Sequence, residues 1–236
     1  TFRSRRTATP PLNSSVRAKQ GKLMKWIICV IGLLLLTGCG LKTQVVRVDT
    51  PNVHVNSENG PLIQVGTVTD GRSSTFLSEF PAADRPRNVG GVVRAGNGIN
   101  VVLESSTTTE KAQSIIIQAL RSMGYRTVTQ CQTACIQLSV VLNEFAVKMP
   151  FNFWRAAGWS QQMVADISVH VMAQQGDNTR SFNVSGHGSN IYQVVSRENW
   201  ETALNRAATD FSTNIKQAIA AQEPGVVGDR NPSEQP

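Results

Sequence analysis

The chain has 236 residues, enough for one large domain or two small ones, and its 23 Lys and Arg against 16 acidic residues give a sequence pI near 9.6. Such a balance points first to a phosphate-rich partner, but its distribution excludes nucleic acid. Seven of the basic residues, Arg3, Arg5, Arg6, Arg17, Lys19, Lys22 and Lys25, precede an apolar run in a stretch with no acidic residue, so from Cys39 onward 16 basic residues face 16 acidic ones.

A basic leader, a short apolar run and then small residues is the layout of a secretory signal peptide. The uncharged run at 26–38 has 13 residues, ~20 Å as a helix at about 1.5 Å per residue, against a hydrocarbon core of ~30 Å. It is too short to span comfortably. Met24-Lys25 just ahead of it reads as the true start, which makes 1–23 upstream translation with no structural role and 24–38 the signal. A buried core segment, a membrane helix and an ordinary secretion signal are the alternatives for this run.

The run closes on "LTGC". Leu36, Thr37, Gly38 and Cys39 resemble the bacterial lipobox, where a dedicated peptidase cuts before a diacylated cysteine. Small residues ahead of the cut fit a narrow peptidase site, and the thiol alone here can form the thioether. The resemblance implies that Cys39 is the first mature residue and carries three acyl (palmitate-type) chains; at about 0.8 kcal/mol per buried methylene, several chains hold essentially permanently. Gly40, where an inner-membrane protein of this class carries Asp, implies the outer membrane, periplasmic face.

Residues 39–60 read as a lipidated N-terminus and polar tether with short β-branched runs, punctuated by Pro51, Asn59 and Gly60, an extended linker that could later join the sheet. "LIQVGTVTD" from Leu62 and "GINVVLES" from Gly98 read as strands by their Val and Ile content. Between them, 71–97 is a long loop rich in Gly, Pro and Arg, of the kind that is mobile or functional. A helix follows: Thr107 and Glu110 make a capping box, Ala112, Ile115, Ile116, Ala119, Leu120 and Met123 fall three and four apart, and Gly124 closes the end.

"YRTV" reads as a short strand, followed by Cys131 and Cys135 in "CQTAC". With Cys29 lost with the signal and Cys39 lipidated, these two thiols remain, and an oxidising periplasm favours a structural disulfide pinning a turn; a redox or metal pair is the alternative. In "IQLSVVLNEFAVKM", Ile136, Leu138, Val140 and Leu142 alternate, then lose phase near Asn143 as at a bulge. A second alternating strand carries Met163, Ala165, Ile167, Val169, Val171 and Ala173 on one face. "QQGDNT" turns it into a partner whose pattern weakens at Gly186 and Gly188. Ser196 caps a last long helix with Trp200, Ala203, Leu204, Ala207, Ala208, Phe211, Ile215, Ala218 and Ile219 as its stripe. The tail at 222–236 buries nothing and reads as disordered.

One dry sheet face and two one-sided helices make an α+β domain at 61–221: two layers, a mostly antiparallel sheet, two helices packed on one face. With the "LTGC" signal, the helix ending "IIIQALRSMGYRTV", the strands "IQLSVVLNEFAV" and "ADISVHVMAQ" and the terminal "ALNRAATDFSTNIKQAI" helix, this order resembles the YajG family of bacterial outer-membrane lipoproteins. The resemblance implies location and fold; the family brings no assigned chemistry. The 76–94 insert, the cysteine pair and the aromatic turn depart from the family pattern.

No catalytic constellation stands out. His54, His170 and His187 are scattered, "GHGS" lacks the context of a nucleophile elbow, "GNGIN" is no dinucleotide fingerprint, and Asp166 and Glu144 could at most face each other across a hairpin. No enzyme, cofactor or metal is therefore expected. "MPFNFWRAAGWS" places Phe151, Phe153, Trp154 and Trp159 at a connection where polar residues are usual. They either cap the core or form an interface with a partner or bilayer. Two functions follow: a non-catalytic lipoprotein, membrane-bound through Cys39, docking onto a protein partner in an envelope assembly; or an accessory lipoprotein holding a lipid or other apolar ligand for envelope transport. A packed core favours the first, an apolar groove with an open mouth the second.

Overall fold

The computed structural model describes residues 41–50, 59–94, 97–131, 135–150 and 160–222. The elements in chain order are β1 (Leu41–Val46), β2 (Leu62–Val65), β3 (Thr69–Asp70), α1 (Ser74–Ser78), β4 (Asn88–Arg94), β5 (Asn97–Leu103), α2 (Thr108–Ser122), β6 (Arg126–Val128), β7 (Ile136–Lys148), β8 (Gln161–Gln175), β9 (Asn178–Tyr192) and α3 (Arg197–Gln222). No helix among the described residues is long and apolar enough to cross a membrane.

The long alternating segments form the spine. β7, β8 and β9 pair antiparallel, and the interior sides of β7 and β8 are buried at alternate positions: Leu138, Val140 and Leu142, then Met163, Ala165, Ile167, Val169 and Val171. The expected bulge is present. The register shifts between Leu142 and Glu144, so Asn143 is the extra residue and burial resumes in the opposite phase at Phe145 and Val147.

The far edge of β7 is divided among three short strands, all parallel to it: β2 at Ile136 to Leu138, β3 at Val141 and Leu142, β4 at Val147 and Lys148. β2 continues in parallel to β6, while β4 pairs antiparallel with β5, which pairs in parallel with β1. The sheet is thus mixed, which corrects the expectation of a mostly antiparallel one. Alternation reports which face is buried but not strand direction. Parallel partners cannot be joined by a tight turn, and here the two strands of each parallel pair are separated in sequence by other elements.

Helices number three among the described residues instead of two. α1 is five residues long, starts after the Ser73 cap and buries nothing, so it leaves no periodic trace in the sequence. α2 carries the full capping box, with Glu110 N–H donating to the Thr107 hydroxyl and Thr107 N–H to the Glu110 carboxylate, and buries Ala112, Ile115, Ile116, Ala119 and Leu120. α3 buries Trp200, Ala203, Leu204, Ala207, Ala208, Phe211, Ile215 and Ile219. Each large side chain fully buried this way contributes about 1.5–3 kcal/mol.

The stretch expected to be a tether enters the sheet at once. β1 begins at Leu41, and its alternation runs on past the strand end: Val46 and Val48 are buried, Arg47 and Asp49 exposed. The loop expected at 71–97 likewise contains β4. Its "NVGGVV" reads as loop because of the two glycines, but Gly91 has φ +131° and a Cβ there would collide with the Ile99 carbonyl, so glycine is what lets the strand pair at this irregular step.

Candidate functional site

Of the sites expected from sequence, Leu36, Thr37, Gly38 and Cys39 lie outside the described residues, as do Phe151, Phe153, Trp154, Trp159 and His54. Cys131 and Cys135 are a close pair just ahead of β7, with Cα atoms 6.0 Å apart, inside the usual span of a disulfide.

The two described histidines belong to separate cross-strand pairs. His170 Nδ1 lies 2.8 Å from Asn183 Oδ1, and His187 Nδ1 lies 2.9 Å from Asp166 Oδ1. Both pairs are exposed. Asp166 and Glu144 do not face each other: the bulge at Asn143 sets Asp166 opposite Ala146 and Glu144 opposite Ser168, and Glu144 instead binds Lys148 at 2.5 Å.

A buried polar cluster escaped the sequence reading. The Arg72 guanidinium, 1% exposed, donates to both carboxylate oxygens of Asp70 at 2.9 and 2.8 Å, to the Asn88 carbonyl at 2.5 Å and to the Arg85 carbonyl at 3.0 Å. Partial burial works against the Asp70 carboxylate, but hydrogen bonds from the Arg72 side chain and backbone outweigh it and hold its pKa below the ordinary value. Asn88, fully buried, donates to Asn100 Oδ1 at 2.7 Å, and Asn100 donates to Asp84 Oδ2 at 2.7 Å. These bonds fasten the 72–88 segment to β4 and β5. The cluster's donors and acceptors face one another, so its role is to shape this segment. "DGR" and "DRPRN" carry no period that could have announced it.

A groove of about 480 Å³ lies between the 46–50 and 103–106 segments, lined by Arg47, Asp49, Thr50, Glu104 and Lys111 among others. Lys111 Nζ donates to the Val48 carbonyl at 2.9 Å and the Thr50 hydroxyl at 3.3 Å, and burial pushes its pKa down. Its charge is committed to holding the chain after β1.

The contact of α3 with the sheet decides what the fold can hold. A Cβ on Gly186 would collide with the Phe211 nitrogen and the Ala207 carbonyl, and one on Gly188 with the Ala203 carbonyl. Helix and strand therefore touch backbone to backbone. On one flank, Asp210 Oδ2 accepts from the His187 N–H at 2.9 Å, Asn214 donates to the Ser185 carbonyl at 2.8 Å, and Arg206 donates to the Ser189 carbonyl. On the other flank, Glu201 Oε1 and Asn205 Oδ1 accept from the Arg47 and Asp49 N–H groups, each at 2.8 Å. The sheet curls so that α3 binds both β9 and the chain after β1, covering groups that an edge would leave open.

No family model matches the chain, and no curated protein matches it. Solved structures are similar to it: an uncharacterized protein at 12% identity and TM-score 0.45, covering 76% of this chain and 99% of that one; protein XCC0632 from Xanthomonas campestris at 15% and 0.38, covering 78% and 99%; and rare lipoprotein B from Shewanella oneidensis at 10% and 0.34, covering 67% and 94%. Likenesses this loose transfer no activity or partner, and none of them is to the YajG family by name.

Proposed function

We propose that the chain is a non-catalytic lipoprotein of the bacterial outer membrane, anchored through Cys39, facing the periplasm and docking onto a larger envelope assembly. The basic leader, the 13-residue apolar run and "LTGC" support the anchor, and the YajG resemblance supports the location. In that compartment Cys131 and Cys135 are joined in a disulfide.

The observation that favours docking over carriage of an apolar ligand is the seat of α3 on Gly186 and Gly188. Helix and strand meet there with no gap for an acyl chain, and Met163, Trp200 and Phe211 fill the core beside it. The 480 Å³ groove is lined by charged and hydroxyl side chains, which suits a polar contact better than a lipid. The 72–88 segment, held in shape by Arg72, is a surface offered to a partner.

Crosslinking in intact cells followed by identification of the neighbours tests this reading. A reproducible protein neighbour is expected. Absence of any reproducible neighbour counts against docking.

A further inference from the structure

Strand register brings several separate segments to one end of the molecule. Leu41 opens β1 opposite Gly98 in the β4–β5 hairpin; β4 in turn meets the last residues of β7, and Gln161 at the start of β8 pairs with Tyr192 at the end of β9. α3 gives the same direction independently. The chain after β1 runs alongside it, Arg47 at Glu201 and Asp49 at Asn205, so Leu41, six residues earlier, projects ~20 Å toward and past the N-terminus of α3 at about 3.3 Å per residue. Val194 and Val195 immediately precede that N-terminus, and the Val194 carbonyl accepts from Asn199 in its first turn.

Three of the five large apolar side chains left exposed among the described residues lie at this end, Val194 at 75%, Ile191 at 61% and Val195 at 39%, while Val45 in β1 at 39% and Met172 in β8 at 46% stand singly. Scattered exposed aliphatics need no explanation, but three within five residues at one rim do. Lys42, exposed near the start of β1, adds a positive charge at this end.

Only Gly40 separates Leu41 from Cys39, a reach of at most ~7 Å for two Cα steps. Resting on the reading that Cys39 carries the acyl chains, we infer that this end is a membrane-contact face. Ile191, Val194 and Val195 lie against the phospholipid interface, and the domain stands on the bilayer by the ends of β1, β7 and β9 instead of swinging on a tether. The occupant is lipid because a one-residue spacer leaves the strand that follows the anchor no room to turn another end to the bilayer. The opposite pole is the β8–β9 turn at Asp177, just beyond Gln175, which lies 14 residues along β8 from Gln161, ~45 Å at about 3.3 Å per residue; it points into the periplasm, free for a partner.

The test uses the full chain in cells, with a benzophenone amino acid at position 194 or at position 177 and with labelled palmitate supplied. Phospholipid adducts at 194, none above background at 177, and palmitate on Cys39 are the expected result. Palmitate on Cys39 with no lipid adduct at 194 overturns the membrane face and leaves the anchor standing. Equal adducts at both positions, or a protein adduct replacing lipid at 194, also overturn it. Loss of palmitate labelling in the unsubstituted chain overturns the anchor and the inference together.

Discussion

Gly186 lies beneath the backbone of Phe211 so closely that a single added methyl would meet the Phe211 nitrogen and the Ala207 carbonyl together. Residues two apart on β9, Gly186 and Gly188, match residues four apart on α3, Ala203 and Ala207, because two strand steps and one helical turn cover similar distances. Gly186→Ala or Gly188→Ala must push backbone away from backbone, and each is expected to cost about 3 kcal/mol, the upper range for overpacking. Gly176 in the β8–β9 turn is the control. Its φ is +58° and nothing lies within 4 Å of its Cβ position, so Gly176→Ala costs only ~1 kcal/mol of conformational strain. Denaturant melts of the three variants check the order.

The Asp70–Arg72 pair makes stability depend on pH at the acid end. The folded Asp70 pKa is depressed, so folding favours the carboxylate. Its contribution is complete above the ordinary carboxylate range, near about pH 4, and fades as pH falls through the depressed value. Asp70→Asn removes the charge facing a guanidinium that is 1% exposed. It is expected to cost roughly 1–3 kcal/mol at neutral pH and to flatten the loss of stability below about pH 4. Melting temperature against pH for both proteins reads this directly; parallel curves would refute it.

The long elements were legible because each has a period. The capping box at Thr107 and Glu110, the stripe from Ala112 to Leu120, and the alternation of Met163 to Val171 reach the structure unchanged, and the slip at Asn143 was visible as lost phase. What stayed hidden has no period. β3 is two residues and α1 five, too short for a repeat, and β4 is interrupted by Gly90 and Gly91. β1 was read as tether because "LKTQVVRVDT" is half polar, although Val46 and Val48 alternate with Arg47 and Asp49 as an edge strand should. Gly186 and Gly188 were legible as residues but misread as weakness in a strand. Their meaning lies in α3, 15 or more residues away in sequence, and no local pattern carries it.

The polar flank of α3 covers the outer edge of β9. Asp210→Ala removes the acceptor for the His187 N–H, and Asn214→Ala removes a donor to the Ser185 carbonyl. Each loss is at the surface and is expected to cost about 1 kcal/mol, a single net hydrogen bond. The double variant reopens two rungs of a strand edge and is expected to aggregate faster on mild heating than its stability loss alone explains. Light scattering at matched fractions unfolded separates the two effects.

Cys131 and Cys135 are four positions apart. Closing so small a loop removes little freedom from the unfolded chain, so the disulfide proposed there is worth ~2 kcal/mol by the loop-length relation. Cys131→Ser with Cys135→Ser is expected to lower the melting temperature by a few degrees without changing the fold. A reducing agent should bring the unsubstituted protein to the same value and leave the double variant where it is.

Cys39→Ala addresses the anchor itself. If Cys39 carries the acyl chains, this variant loses palmitate labelling, escapes the lipoprotein peptidase and leaves the membrane fraction on fractionation, because ~0.8 kcal/mol per buried methylene over three chains disappears at once. The folded domain should be indifferent. β1 starts only at Leu41 and its buried residues begin at Val46, so the melting temperature of the released variant is expected to match that of the delipidated protein. Persisting membrane attachment with normal processing would mean that the apolar run at 26–38, and not the cysteine that ends it, holds the chain to the envelope.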